Sequence, residues 1–154
     1  MSESVRAPQT TAHLEHLRRL LRGESPKPPI AELIGFDLTE IELGRCTTEL
    51  VASRRHANPM GTLHGGVICD LGDAAIGMAL ASTLEDDETF TTLDLTAKYF
   101  KPIWNARIRA KAVVVKRTRQ LGLIECDVLD DKDGLVARLY STCMVLRGAD
   151  AKGR

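Results

Sequence analysis

The stretch GGVICDLGDAAIGMALAST, Gly65 to Thr83, decides the fold. Small and apolar residues cover most of its faces, among them Gly66, Gly72, Gly77, Ala74, Ala75, Ala79 and Ala81, and only Asp70 and Asp73 interrupt them. A helix that is apolar nearly all round has no natural water-facing side, so it has to be buried. Its small residues also let neighbouring backbone approach closely. This composition predicts a helix wrapped by a sheet.

The flanking segments supply that sheet. Phe36 to Glu42 and Arg45 to Val51 flank Gly44 and read as a hairpin. Beyond an acidic loop, Glu85 to Glu88, four strand-like stretches follow: Thr89 to Lys101, Ala106 to Thr118, Leu121 to Asp130 and Leu135 to Arg147. In the first of these, Thr92, Asp94, Thr96 and Lys98 alternate with Leu93, Leu95, Ala97 and Tyr99, which predicts one polar and one apolar face. Asp131 to Gly134 reads as the turn between the last two strands. Two strands, one buried helix and an antiparallel meander make an α+β architecture, a long helix against a curved sheet of about five to six strands.

Upstream, Thr11 to Arg22 carries Leu14, Leu17, Leu20 and Leu21 at helical spacing, an amphipathic helix that packs on the domain or on a partner subunit. Gly23 to Pro29 breaks that pattern and reads as a linker. The chain therefore divides into a helix and Pro-rich linker over 1–29, a main domain over 30–148 and a tail over 149–154.

Bulk composition narrows the function. A length of 154 residues suits one domain. Lys+Arg and Asp+Glu are both 21, so bulk electrostatics offer no attraction to nucleic acid or an anionic membrane. No stretch approaches the roughly 20 apolar residues of a membrane span, and Met1 to Gln9 contains no apolar run of a signal peptide. Cys46, Cys69, Cys126 and Cys143 are widely spaced and read as small buried hydrophobes of a reducing compartment, so a cytoplasmic location is expected. His56, His64 and Cys69 lack a zinc spacing. Twelve positions from Asp130 or Asp131 end on Ser141 or Thr142, not on the Glu of a calcium loop. No GxGxxG or GxxxxGK occurs, and no metal or redox cofactor is implied.

Chemistry concentrates where NPMGTLHGG, Asn58 to Gly66, runs into the buried helix. A helix start leaves about four N–H groups unpartnered and carries roughly half a positive charge. Gly65 and Gly66 there suit a carbonyl oxygen that becomes an oxyanion, or simply permit a tight turn into the helix. Asp70 and Asp73 inside an apolar helix need a reason, because an unpaired carboxylate is costly to bury. Asp73 is the better placed; Asp70 is expected to make structural hydrogen bonds near the helix start. Gly65 and Asp73 lie roughly 12 Å apart along the helix, too far to act on one carbon from the same chain. Shared function thus predicts a dimer with the site at its interface. Lys116, Arg117 and Arg119 occupy a turn that suits phosphate oxygens or is a solvated basic turn.

The runs NPMGTLHGGVICDLGDAA, TTLDLTAKYFKP and GLVARLYSTCMVLRG resemble the PaaI-like acyl-CoA thioesterases, which have the hotdog fold. The likeness covers roughly Ile34 to Arg147, and its specificity lies in Asn58, the HGG motif and an acidic residue nine positions after His64. The resemblance implies that Asp73 is the catalytic carboxylate, supplied across a dimer as nucleophile or general base. It implies that the Gly65 N–H polarises the thioester carbonyl, that Asn58 and His64 assist at that end, and that Thr92 places a hydroxyl near the attacking water. Gly66, Lys116, Arg117 and Arg119 then become substrate contacts, the basic turn meeting CoA phosphates. The partners implied are an acyl-CoA substrate and a second copy, with dimers pairing into tetramers. Two rival readings are a non-catalytic acyl-CoA binder and a hotdog dehydratase or hydratase.

Overall fold

In the computed structural model, residues 10–152 are described; 1–9 and 153–154, the ends of the two terminal segments assigned from sequence, lie outside the described residues. Helix α1 spans Ala12–Leu21 and α2 Pro29–Ile34; strands β1 (Phe36–Glu42) and β2 (Arg45–Val51) precede helix α3 (Gly65–Ala81). Strands β3 (Glu88–Tyr99), β4 (Arg107–Arg117), β5 (Leu121–Leu129) and β6 (Leu135–Arg147) follow. All ladders are antiparallel, in the order β1-β2-β4-β5-β6-β3. This is the hotdog architecture that the sequence predicts, one long helix against a six-stranded sheet.

Helix α3 lies against every strand of the sheet. Leu71, Ala75, Ile76, Ala79 and Leu80 are wholly buried. Close approach is reciprocal. A Cβ on Gly72 would lie 2.6 Å from Leu139 Cδ2 of β6, and one on Gly122 of β5 would lie 2.5 Å from Leu80 Cδ1 of the helix. Each glycine leaves room for a leucine of the opposite layer, which a side chain there would displace. Buried Thr48 of β2 donates its hydroxyl to the Leu71 carbonyl at 3.0 Å, so that hydroxyl is satisfied in the core.

The sheet curves because its ladders are irregular. Register shifts occur at Leu38/Glu40, Thr92/Asp94, Val114/Lys116 and Val128/Leu129. Such bulges bend a strand and increase its twist. The shift in β3 corrects the strict alternation expected there. Phe90, Leu95 and Ala97 pack on the core, whereas Leu93 is 51% exposed. The extra residue turns Leu93 away from the face that a two-residue period assigns to it.

The N-terminal segment packs on this same chain. Thr11 caps α1, accepting from Leu14 N–H at 3.3 Å, and Leu14 and Leu17 are buried. Ala12 N–H donates to Asp86 Oδ1 at 2.8 Å. Helix α2, not anticipated from sequence, starts on Pro29 and stops at Gly35, whose φ of 93° is left-handed. Proline first and glycine last is the asymmetry expected of a short helix. Arg55 closes the exit of α2 by donating to Ile34 O at 2.8 Å and Leu33 O at 3.1 Å.

Removing side-chain volume beneath α3 tests how far the fold depends on it. Leu71→Ala is expected to lower the unfolding free energy by about 2–5 kcal/mol, because this fully buried site cannot collapse freely. Urea unfolding of wild type and variant measures that difference.

Candidate active site

Asn58 organises the loop before α3. Its Oδ1 accepts from Met60 N–H at 2.9 Å and Thr62 N–H at 3.2 Å, and its Nδ2 donates to the Thr62 hydroxyl at 2.8 Å. His64 N–H donates to His56 O at 2.9 Å, fixing the end of the loop. Buried His56 is itself pinned: Nδ1 accepts from Ser53 N–H at 3.1 Å, and Nε2 lies 2.8 Å from Ile34 O and 3.1 Å from Arg55 Nε.

At the helix start the N–H groups divide unevenly. His64 is the N-cap, and its Nδ1 accepts from Gly66 N–H at 2.9 Å. Val67 and Ile68 donate to the His64 carbonyl. Gly65 N–H, first of the series, has no acceptor among the described residues. One backbone donor at the positive end of a buried helix is therefore left over. Gly66 N–H is thus taken up by the His64 ring. Both glycines have steric reasons. A Cβ on Gly65 would sit 3.1 Å from the Tyr99 ring, and one on Gly66 2.9 Å from His64 Nδ1.

Tyr99 is a positioning residue that the sequence pattern assigned only to a strand face. Its hydroxyl donates to the Gly65 carbonyl at 3.0 Å and lies 3.0 Å from Cys69 Sγ. Burial and then the Cys69 contact push the phenol up to about 12, so it is a neutral donor at pH 7. Cys69 is half-buried, whereas Cys46, Cys126 and Cys143 are the buried thiols that the sequence suggested.

Asp73 lies elsewhere, eight residues along α3 and about 12 Å from Gly65 along the axis. It borders a cavity of about 510 Å³ together with Thr92 of β3. No hydrogen bond or ion pair engages its carboxylate among the described residues. Although water reaches this side chain, the protein around the cavity mouth desolvates it. Desolvation first, and the negative charge of Asp70 second, raise its pKa above the ordinary 3.8. Asp70 is exposed and makes no hydrogen bond among the described residues, which corrects the structural role expected of it.

The basic turn divides too. Arg117 pairs with buried Glu88 at 2.7 Å, and Arg147 pairs with the same carboxylate. Burial opposes ionisation of Glu88, but the Glu85 N–H and both guanidiniums outweigh it and hold the group below its usual range. Arg117 is thus engaged in an ion pair with Glu88, whereas Lys116 and Arg119 are exposed. No three His, Cys, Asp or Glu side chains gather as a metal-binding group among the described residues.

The single chain therefore brings Asp73 and Thr92 together at one cavity, and separately His64, Gly65 and Tyr99 at the helix start, with Asn58 in the loop before it. One long helix packed on a six-stranded antiparallel sheet is the architecture of the hotdog thioester hydrolases. The chain belongs to the thioesterase superfamily, whose family model matches residues 60–137. It is of the PaaI-like kind. It is 29% identical to a phenylacetic acid degradation-related protein of Ralstonia eutropha, covering 82% of this chain and 97% of that one at a TM-score of 0.75. The PaaI protein of E. coli shares the fold at a TM-score of 0.78 and 17% identity, over 89% and 98% of the two chains. A 1,4-dihydroxy-2-naphthoyl-CoA hydrolase of Listeria monocytogenes is 24% identical, over 75% of this chain and 93% of its own.

Two outcomes are expected. Proline is tolerated at the first helical position, and His64 already has the extended backbone, ψ 132°, that a following proline requires. Gly65→Pro should therefore remove one N–H while keeping the helix, lowering kcat for thioester hydrolysis about 10²–10³-fold. Gly65→Ala meets Tyr99 in the same way but keeps the donor, so it should lose far less; equal losses would discredit Gly65 N–H as a donor to the substrate. For Asp73, a raised pKa means that the folded state binds the proton more tightly than the unfolded chain. Ionisation then costs stability, so Asp73→Asn should melt higher than wild type at pH 7. That gap should close as pH falls through the folded pKa toward 3.8, as measured by thermal melts across pH.

Proposed function

We propose that this protein hydrolyses an acyl-CoA thioester to a free carboxylic acid and CoA. The observation that carries the reading is Asp73, a carboxylate without a protein partner at the mouth of an apolar cavity. An unpaired ionisable group in such a place calls for a chemical role. In one route Asp73 takes a proton from water as the water oxygen attacks the acyl carbon. In the other the carboxylate itself attacks, and water then cleaves the resulting anhydride. Either way the C–S bond breaks, the thiolate leaves and is protonated, and the carbonyl oxygen carries negative charge at the tetrahedral stage. Gly65 N–H is the donor for that charge, its position fixed by His64, Asn58 and Tyr99. Thr92 offers a hydroxyl on the Asp73 side, and exposed Lys116 and Arg119 are the cations for CoA phosphates.

The separation of about 12 Å between Gly65 and Asp73 requires two chains, the Asp73 of one protomer serving the Gly65 of the other. Strand β3 supports this assembly. Among the described residues it pairs only with β6, so its other edge has no strand partner there along twelve residues. An edge of that length is suited to pairing with a copy of itself about a twofold axis. We propose the dimer on this ground, and a pairing of dimers beyond it.

Thiol release from acetyl-, decanoyl-, hexadecanoyl- and benzoyl-CoA tests the activity, with Asp73→Asn expected to abolish it while the folded dimer persists. Mixing subunits tests the shared site. Gly65→Pro and Asp73→Asn homodimers should each be inactive, and randomly reassorted chains should recover about a quarter of wild-type activity, because half the dimers then hold one intact site. Recovery of nothing, with heterodimers present, would place both groups on one chain. Acyl-CoA binding without thiol release from any substrate would make the protein a binder, not a hydrolase.

A further inference from the structure

The cavity that meets Asp73 runs away from the thioester end, between α3 and the N-terminal hairpin of α1 and α2. Its helix wall is the stripe Asp73, Ala74, Gly77, Met78 and Ala81, residues that share one face at spacings of one and two turns. Ala74, Gly77 and Ala81 are small, and the space they leave open is the cavity. The facing wall comes from Leu20, Leu21 and Ile30, outside the 60–137 region that the family model covers. Leu21 is 38% and Ile30 49% exposed, apolar surface that the closed fold leaves uncovered because it faces this space.

The hairpin is a fixed wall. Leu14 and Leu17 anchor α1 in the core, Ala12 N–H is tied to Asp86, and Lys27 of the connecting segment forms an ion pair with Asp37 of β1. That pair is the charged part of the lining beyond Asp73, and it neutralises itself. A charged acyl tail would therefore find no unpaired partner in the chamber and would lose its hydration on the way in. From Asp73 to Ala81 the helix rises about 12 Å. An extended chain gains about 1.2 Å per bond, as in a peptide with three bonds per residue, so this depth accepts an acyl chain of about ten carbons.

We infer that the N-terminal hairpin and the small-residue stripe of α3 form the acyl chamber, and that it selects uncharged, medium-length aliphatic acyl groups. The inference deepens the hydrolase reading and rests on it for the placement of the thioester. An acetyl group leaves the chamber empty and gains nothing from it. A decanoyl group fills it, with each buried methylene favouring binding. Selectivity among acyl groups thus draws on the N-terminal hairpin, which carries none of the reacting groups, as well as on α3.

The test compares kcat/KM for decanoyl-CoA and acetyl-CoA in wild type, Leu21→Glu, Ala81→Leu and Leu33→Glu. Leu21→Glu places a charge in the wall, Ala81→Leu fills the far end, and Leu33, 76% exposed and outside the cavity lining, is the control. The decanoyl/acetyl ratio should favour decanoyl in wild type and in Leu33→Glu, and fall at least about tenfold in the other two. Binding of decan-1-ol, an uncharged probe that does not repel Asp73, is measured in parallel by calorimetry and should weaken similarly in the same two variants. Hydrolysis with an unchanged ratio and unchanged decanol binding would overturn the chamber and leave the hydrolase reading intact. Decanol binding that depends on Leu21 and Ala81, without turnover of any acyl-CoA, would uphold the chamber and sink the hydrolase reading. Absence of both would overturn both.

Discussion

The structure depends on the burial of α3. A seventeen-residue helix without a polar face is stable only if protein surrounds it, and a flat sheet can cover only one side. The bulged sheet answers that demand by curving, while Gly72 and Gly122 let the two layers come together. Within this chain burial is confined to one side of the helix: its N-terminal donor and the Asp73 carboxylate stay open to water, and the protein around Asp73 desolvates that group in part. Electrostatic interactions strengthen where the dielectric falls.

The helix start shows how a short motif divides its labour. In the HGG sequence, the histidine ring folds back over the second glycine and takes its N–H, while the first glycine keeps its own. A side chain at either glycine would press on a different neighbour: at Gly66 the imidazole of His64, at Gly65 the ring of Tyr99. Asn58 holds the preceding loop through Met60 and Thr62, and Tyr99 holds the Gly65 carbonyl.

The buried Glu88 pair illustrates the opposite use of charge. Arg117 and Arg147 converge on one carboxylate and tie the β4–β5 turn to the first residue of β3. Thr92 lies four residues further on, about 13 Å along the strand. The ion pairs thereby hold the strand that carries Thr92, while the neighbouring Lys116 and Arg119 stay free at the surface.

Much of this was legible in the sequence. The apolar helix and the succession of strands along the chain follow from periodicity and composition, which record burial directly; the pairing of β3 with β6, where the sequence suggested a simple four-strand meander, does not. The separation of Gly65 from Asp73 follows from helical rise alone. Other features depend on neighbours distant in the chain. A two-residue period cannot reveal the bulge that turns Leu93 outward, because its signature is a shifted partner on β6. Nothing local tells Arg117 from Arg119; only the fold brings Glu88 to the first and leaves the second in water. The role of Tyr99 appears once β3 crosses the start of α3, thirty-four residues earlier. The N-terminal helix was readable as amphipathic, but its cavity-facing leucines look the same as core leucines in one dimension. Sequence thus determined which segments had to be buried and which groups were chemically unusual, because both are properties of a residue and its near neighbours. Tertiary structure decided which charges were already paired, which donor was left over and where space remained, because these depend on which distant segments meet.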